Sequence, residues 1–136
     1  MTLDITSERS MGSLQTEFSE AFPGLKLAFF SKPHREFKGS AAKFLLQDRE
    51  VPLSQLSSKL QAGELELGPE TVVMDLEQEF EKKFGLHVQV FRKSGNIWLE
   101  TSVTDNLTLA EQQIKAANSE NIRQEFVDPL DYREQD

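Results

Sequence analysis

The stretch DLEQEFEKKFGLHVQVFRKSGNIWLET, residues 75–101, decides the architecture. Leu76, Phe80 and Phe84 recur at the four-residue spacing of one helix face, and Val73 extends that stripe backwards. Gly85 closes the helix, and two strands follow, joined at Ser94, Gly95 and Asn96. The first half of this stretch has an earlier copy. Residues 14–25 (LQTEFSEAFPGL) lie over residues 76–86 (LEQEFEKKFGL), with Pro23 as the single insertion. Extending the register backwards places Leu3 and Ile5 over Leu65 and Leu67, and forwards places Phe30 and Lys32 over Phe91 and Lys93. A repeat of this kind predicts two related units, 1–62 and 63–118, each βαββα-like, followed by an acidic tail at 119–136.

Within the first unit, Leu3 and Ile5 alternate with Thr2, Asp4 and Thr6 as in a half-buried strand. Residues 7–10 offer N-cap candidates for a helix whose stripe is Met11, Leu14, Phe18 and Phe22, and Pro23-Gly24 stops it. Leu25, Leu27 and Phe29 form a second strand, residues 31–41 a loop, and residues 43–47 a returning strand. Pro52 in a first helical turn opens a short helix carrying Leu53, Leu56 and Leu60. The second unit reads as a strand at 64–67 and a helix capped by Thr71 with Glu77, Glu81 and Lys82 on its outer face. A hairpin of 86–92 and 97–101 follows, then a helix opened by the capping box Thr108-Leu109-Ala110-Glu111 and running to about Asn118. The tail is expected to be largely disordered, with Phe126, Leu130 and Tyr132 scattered in polar sequence. The fold class is therefore α+β, with helices packed on one or two mixed sheets and an internal pseudo-symmetry.

Composition narrows the function classes. A chain of 136 residues with ten Phe has enough apolar side chains for a core that removes about 68% of the unfolded surface from water. No run approaches the roughly 18 apolar residues of a membrane span, and the start MTLDITSERS lacks a basic region followed by an apolar one, so a cytoplasmic protein is expected. With no Cys, disulfides and thiolate chemistry are excluded. The net charge of −8 is uneven: +1 over residues 1–62, −5 over 63–118 and −4 over 119–136. Such a balance disfavours nucleic acid and anionic membranes as partners.

The hairpin permits a sharper inference. A two-residue turn makes opposed residue numbers sum to an odd total, so Val88, Val90 and Arg92 share a face with Ile97 and Leu99, while His87, Gln89 and Phe91 share the other with Trp98. Were the turn Ser94-Gly95, Phe91 and Trp98 would be directly opposed. The aliphatic face meets the helices. The aromatic face has two readings: it is covered by the other unit or by the last helix, or it is an exposed pair that binds a partner or a second copy of the chain. Phe30 occupies the matching place in the first unit.

Chemical constellations are thin. His34 and His87 are the only histidines, so no centre with several His ligands forms within one chain, and neither a zinc pattern nor a nucleophile elbow is present. Glu77, Glu79 and Glu81 read as a solvated helix face. Lys26, Lys32, Arg35, Lys38 and Lys43 lie in a stretch whose single acid is Glu36, and Arg92 and Lys93 stand at the second hairpin. If the units pack symmetrically, these basic groups form an anion site.

The segments FGL (84–86), VFRKSGN (90–96), WLET (98–101) and TLAEQ (108–112) resemble a group of small bacterial α+β proteins without an assigned function. The likeness is good over the second unit and looser over the first. It implies a compact bacterial cytosolic domain and carries no activity, cofactor or catalytic residue. The expected function is a non-enzymatic interaction or adaptor module, with an unidentified protein or a second copy as partner. Phe91, Trp98, His87 and Phe30 are its contact residues. The alternative is nucleic-acid or phospholigand binding through Lys32, Arg35, Lys38, Arg92 and Lys93, and an enzyme ranks third. No metal or cofactor is expected.

Overall fold

In a computed structural model, described over residues 1–32 and 42–120, strand β1 (Thr2–Ile5) leads into helix α1 (Met11–Ala21) and strand β2 (Leu25–Phe30). The second half runs β3 (Gly63–Glu66), α2 (Val73–Phe84), β4 (His87–Ser94), β5 (Ile97–Glu100) and α3 (Leu109–Glu120). The protein is α+β. Its sheets are both antiparallel, where mixed sheets were expected: β1 pairs with β3, and β2, β4 and β5 form a sheet in that order. Strands of the same rank in the two halves thus meet head to tail. Among the described residues no helix is long and apolar enough to cross a membrane.

Both apolar stripes do what their spacing dictates. Met11, Leu14, Phe18 and Phe22 on α1, and Val73, Leu76, Phe80 and Phe84 on α2, are all buried, and they join Leu3, Ile5, Leu65 and Leu67 in one core. Each fully buried Phe or Leu adds about 1.5–3 kcal/mol relative to exposure. Phe80 meets Phe29 edge to face at 6.2 Å, and Arg92 on β4 reaches Gln112 on α3. Helices α2 and α3 therefore stand on the sheet face that carries Leu25, Leu27, Phe29, Val88, Val90 and Arg92, and the apolar stripe of α1 joins the same core cluster as the apolar residues of that face. Gly24 (φ 91°) and Gly85 (φ 67°) turn the chain from each helix into its strand in the left-handed region that glycine adopts freely.

The helix starts are held by backbone from later in the same half. Met11 N–H donates to Val51 O (2.8 Å) and Gly12 N–H to Arg49 O (2.9 Å), and likewise Val73 N–H donates to Leu107 O (3.0 Å) and Met74 N–H to Asp105 O (2.8 Å). In return Leu53 N–H donates to Arg9 O and Ser54 N–H to Ser7 O, as Leu109 N–H donates to Thr71 O and Ala110 N–H to Pro69 O.

Several local expectations are corrected. Residues 43–47 do not form a strand: Ala42–Phe44 is a 3-10 turn, and the return alongside β2 is a single bridge, Phe30 with Leu45. The chain leaves β2 so soon because Arg49 and Val51 must deliver their carbonyls to the start of α1. Pro52 precedes the turn it opens, and that turn is only the 3-10 segment Leu53–Gln55, although Leu53 is buried and Leu56 and Leu60 pack against the core. Beyond it Ser57 Oγ accepts from Lys59 N–H, a local bond that competes with helix. Thr71 does not cap α2. Its hydroxyl accepts from Gly68 N–H, Val72 stands at the N-cap position, and the carbonyls of Leu107 and Asp105 satisfy the helix donors. The capping box at Thr108 and Glu111 forms in both directions, and α3 reaches Glu120. The tail from residue 121 onward lies outside the described residues.

Candidate functional site

The sheet face turned away from the helices is set by register. Lys26 pairs with Phe91, Ala28 with Gln89 and Phe30 with His87, while across the hairpin Phe91 pairs with Glu100 and Lys93 with Trp98. All these side chains share that face, because paired residues in a ladder point the same way. The hairpin uses Gly95 and Asn96 as its turn, so Phe91 and Trp98 are diagonal neighbours and not opposed. The odd-sum parity holds in this frame. The last helix lies on the opposite face.

Trp98 is 37% exposed, Phe91 and His87 are half-buried, and Phe30 is buried. The Lys26 ammonium stands over the Trp98 ring at 4.5 Å from its centre and 5.7 Å from that of Phe91. Such a cation on an aromatic face gains about 0.5–1 kcal/mol at a partly exposed site. Burial lowers the Lys26 pKa from its ordinary value. Phe30 and His87 lie at the other end of the same strands, beyond Ala28 and the fully buried Gln89, and His87 Nδ1 is 3.6 Å from Glu81 Oε1. The four aromatic-face candidates therefore share one sheet face, in two groups, with Phe30 buried.

Among the described residues the basic candidates do not converge. Arg92 lies on the helix-covered face, buried, with Nη1 3.3 Å from Gln112 Oε1, and burial lowers its pKa. Lys93 N–H donates to Gly24 O at one end of β2, whereas Lys32 follows the other end with its ammonium 5.2 Å from the Phe44 ring centre. Six residues of strand between Gly24 and Phe30 separate these ends by about 20 Å. Arg35 and Lys38 lie outside the described residues.

Glu77, expected on a solvated helix face, lies against the sheet edge instead. It is buried, and its Oε2 accepts from Val90 N–H (2.9 Å) and Gln89 Nε2 (3.1 Å). β5 pairs with β4 only as far as Phe91, and the carboxylate takes the next edge donor. Its position carried a signal: four residues after Val73 and three before Phe80 is a place on the buried stripe. Gln15 has the same place relative to Met11 and Phe18, and its Nε2 donates to Leu27 O at 2.9 Å on the outer edge of β2. Beside it an open groove of 720 Å³ runs between α1, that edge and the segment 45–49, with Met11, Leu27, Leu46 and Arg49 among its walls and Lys26 at its side.

No protein family, characterised protein or solved structure matches this chain. The geometry alone carries the functional reading.

Proposed function

We propose that this chain is a non-enzymatic protein-interaction module, an adaptor assembled from two related units, which meets its partner through Phe91 and Trp98. The observation that carries the reading is Trp98, 37% exposed on a sheet face that no described helix covers and backed by the Lys26 ammonium. Large aromatic side chains held in place by neighbours are the usual centres of protein interfaces, where losing one costs about 2 kcal/mol or more of binding. β5 is also the outer strand of its sheet, an edge to which a second copy can add a strand.

The two-unit architecture draws support from registers and hydrogen bonds. In the repeat alignment Leu3 corresponds to Leu65 and Ala28 to Gln89, and these are the residues that pair with one another in the two sheets. A local two-fold axis passing between like strands requires such self-paired positions. The backbone bonds at the two helix starts obey the same correspondence, four in each unit. On this reading the bridge of Phe30 with Leu45 is the shortened counterpart of Phe91 with Glu100, and Leu53–Gln55 is the counterpart of the first turn of α3.

The test is affinity capture by the tagged full chain at low and high salt, beside the double variant Phe91→Ala/Trp98→Ala. The reading expects a protein that survives high salt on the wild type and is absent from the variant. Ligands that leave at high salt and depend on Lys32 and Lys93 support anion binding instead, since such affinity falls steeply with salt. A variant that stays folded and keeps every partner overturns the proposal.

A further inference from the structure

The groove beside β2 has a counterpart in the second unit, and there the chain fills it. Met11, Gln15, Leu27, Ala28, Leu46 and Arg49 correspond to Val73, Glu77, Val88, Gln89, Thr101 and Asp105. In the second unit this space is closed: Glu77, Gln89, Thr101 and Asp105 are all buried, and the Glu77 carboxylate caps the Val90 N–H at the strand edge. The neighbouring bonds match across the units. Leu46 N–H donates to Phe29 O as Thr101 N–H donates to Val90 O. Because Phe29 O faces outward, so does Phe29 N–H, the counterpart of the donor that Glu77 takes. Gln15, at the place of Glu77, brings no negative charge to it and donates to Leu27 O instead. No described residue accepts from Phe29 N–H.

We propose that the groove receives a glutamate side chain from an extended peptide segment of a partner, its carboxylate taking the place that Glu77 fills in the other unit. Three features fit that occupant. The Gln15 amide lines the groove and the outward Phe29 N–H follows its Ala28 wall, and hydrogen bonds from such donors to a carboxylate are the strong ones. Arg49 brings positive charge to the groove, against Glu20, while the Lys26 stem lines it and its ammonium lies over the Trp98 ring. The walls of Met11, Leu27, Leu45 and Leu46 accommodate the apolar residues that flank a glutamate in an extended segment, and 720 Å³ lies within the roughly 300–1,000 Å³ of ordinary ligand sites. The inference rests on the correspondence of the two units and not on the aromatic face, so either can fail alone.

The experiment titrates the ¹⁵N-labelled full chain with a capped pentapeptide Val-Thr-Glu-Val-Thr, with its Gln analogue, and with glutarate. Salt is held at about 0.15 M, where the Debye length of about 8 Å screens repulsion by the net charge of −8. The Glu peptide is expected to shift the Phe29 backbone amide and the Gln15 side-chain amide saturably, with the Gln peptide and glutarate at least tenfold weaker. Gln15→Glu, which supplies the carboxylate internally, is expected to abolish these shifts while keeping the native spectrum. If Gln15→Glu does not fold, Gln15→Met, which keeps the volume and removes the donor, is expected to weaken the Glu peptide several-fold. Unmoved Phe29 and Gln15 resonances, equal binding by the Gln peptide, or unchanged binding by a folded Gln15 variant would each overturn the proposal. Glutarate binding as tightly as the peptide would make this a small-carboxylate site and overturn the peptide assignment.

Discussion

Gln15 and Glu77 stand at the same place on their helices, and each bonds the outer edge of the strand that follows, Gln15 to Leu27 O and Glu77 to Val90 N–H. Around Glu77 the space is closed by Gln89, Thr101 and Asp105, and the strand edge continues into β5 and the last helix. Around Gln15 the returning segment makes one bridge, the following helix is reduced to a 3-10 turn, and a groove stays open. On the two-unit proposal, the same backbone bonds support a completed half and an abbreviated one. In that proposal the helix starts and strand pairs are common to both halves, and the edge residues set whether the space beside the strand is closed or open.

The comparison can be broken at its base. Phe18 and Phe80 correspond and are both fully buried, so Phe18→Ala and Phe80→Ala should each cost about 3–5 kcal/mol. Both belong to one core, and denaturant unfolding followed by fluorescence and circular dichroism should show a single transition in each. Separate melting of the two halves would contradict a common core.

The edge residues sharpen it. Glu77→Ala leaves the Val90 N–H and the buried Gln89 amide without their acceptor and should cost about 1–3 kcal/mol, whereas Gln15→Ala removes one partly buried bond and should cost about 0.5–1.5 kcal/mol. Equal losses in chemical denaturation would remove the distinction between closed and open halves.

Gly85 and Gly24 differ in a related way. An alanine at either pays the left-handed penalty of about 1–2 kcal/mol. At Gly85 the new Cβ also collides with Ser57 Oγ, while at Gly24 it comes to 3.1 Å from the Ala116 Cβ, so Gly85→Ala should lower the melting temperature more.

At the helix starts, Ser10 Oγ accepts from Ser13 N–H at 3.2 Å, and Ser10→Ala should cost about 1 kcal/mol. Val72, its counterpart, has no side-chain cap to lose.

The smallest effect concerns pH. Burial lowers the Lys26 pKa in the fold, so its ammonium is penalised at neutral pH, and that penalty is relieved as pH rises from the lowered value toward the ordinary 10.5. Stability measured across that window should climb relative to Lys26→Met, which has no charge to lose.

Much of this architecture was readable from residue spacing. The two Phe stripes, the helix-ending glycines, the capping box and the odd-sum parity of the hairpin all rest on local periodicity, and the structure follows them. Parity also placed Arg92 with Val88 and Val90 beneath the helices, on the opposite face from Lys93. What spacing did not give depends on distant partners. The segment 43–47 has a strand composition, yet its continuation is committed to the start of α1 through Arg49 and Val51. Glu77 looks solvated by residue type, and only the end of β5 at Glu100 creates the edge donor that holds it. The hairpin frame turned on which two of Ser94, Gly95 and Asn96 form the turn, a choice that three adjacent turn-forming residues leave open.

The most direct measurement on the proposed contact surface is an amide spectrum and unfolding curve of Phe91→Ala/Trp98→Ala, taken beside its partner capture. The expected result is a native spectrum, a stability loss of at most about 3 kcal/mol for one exposed and one half-buried aromatic residue, and loss of the captured partner. An unfolded variant would make the pair core, and a folded variant that keeps its partner would remove the contact surface.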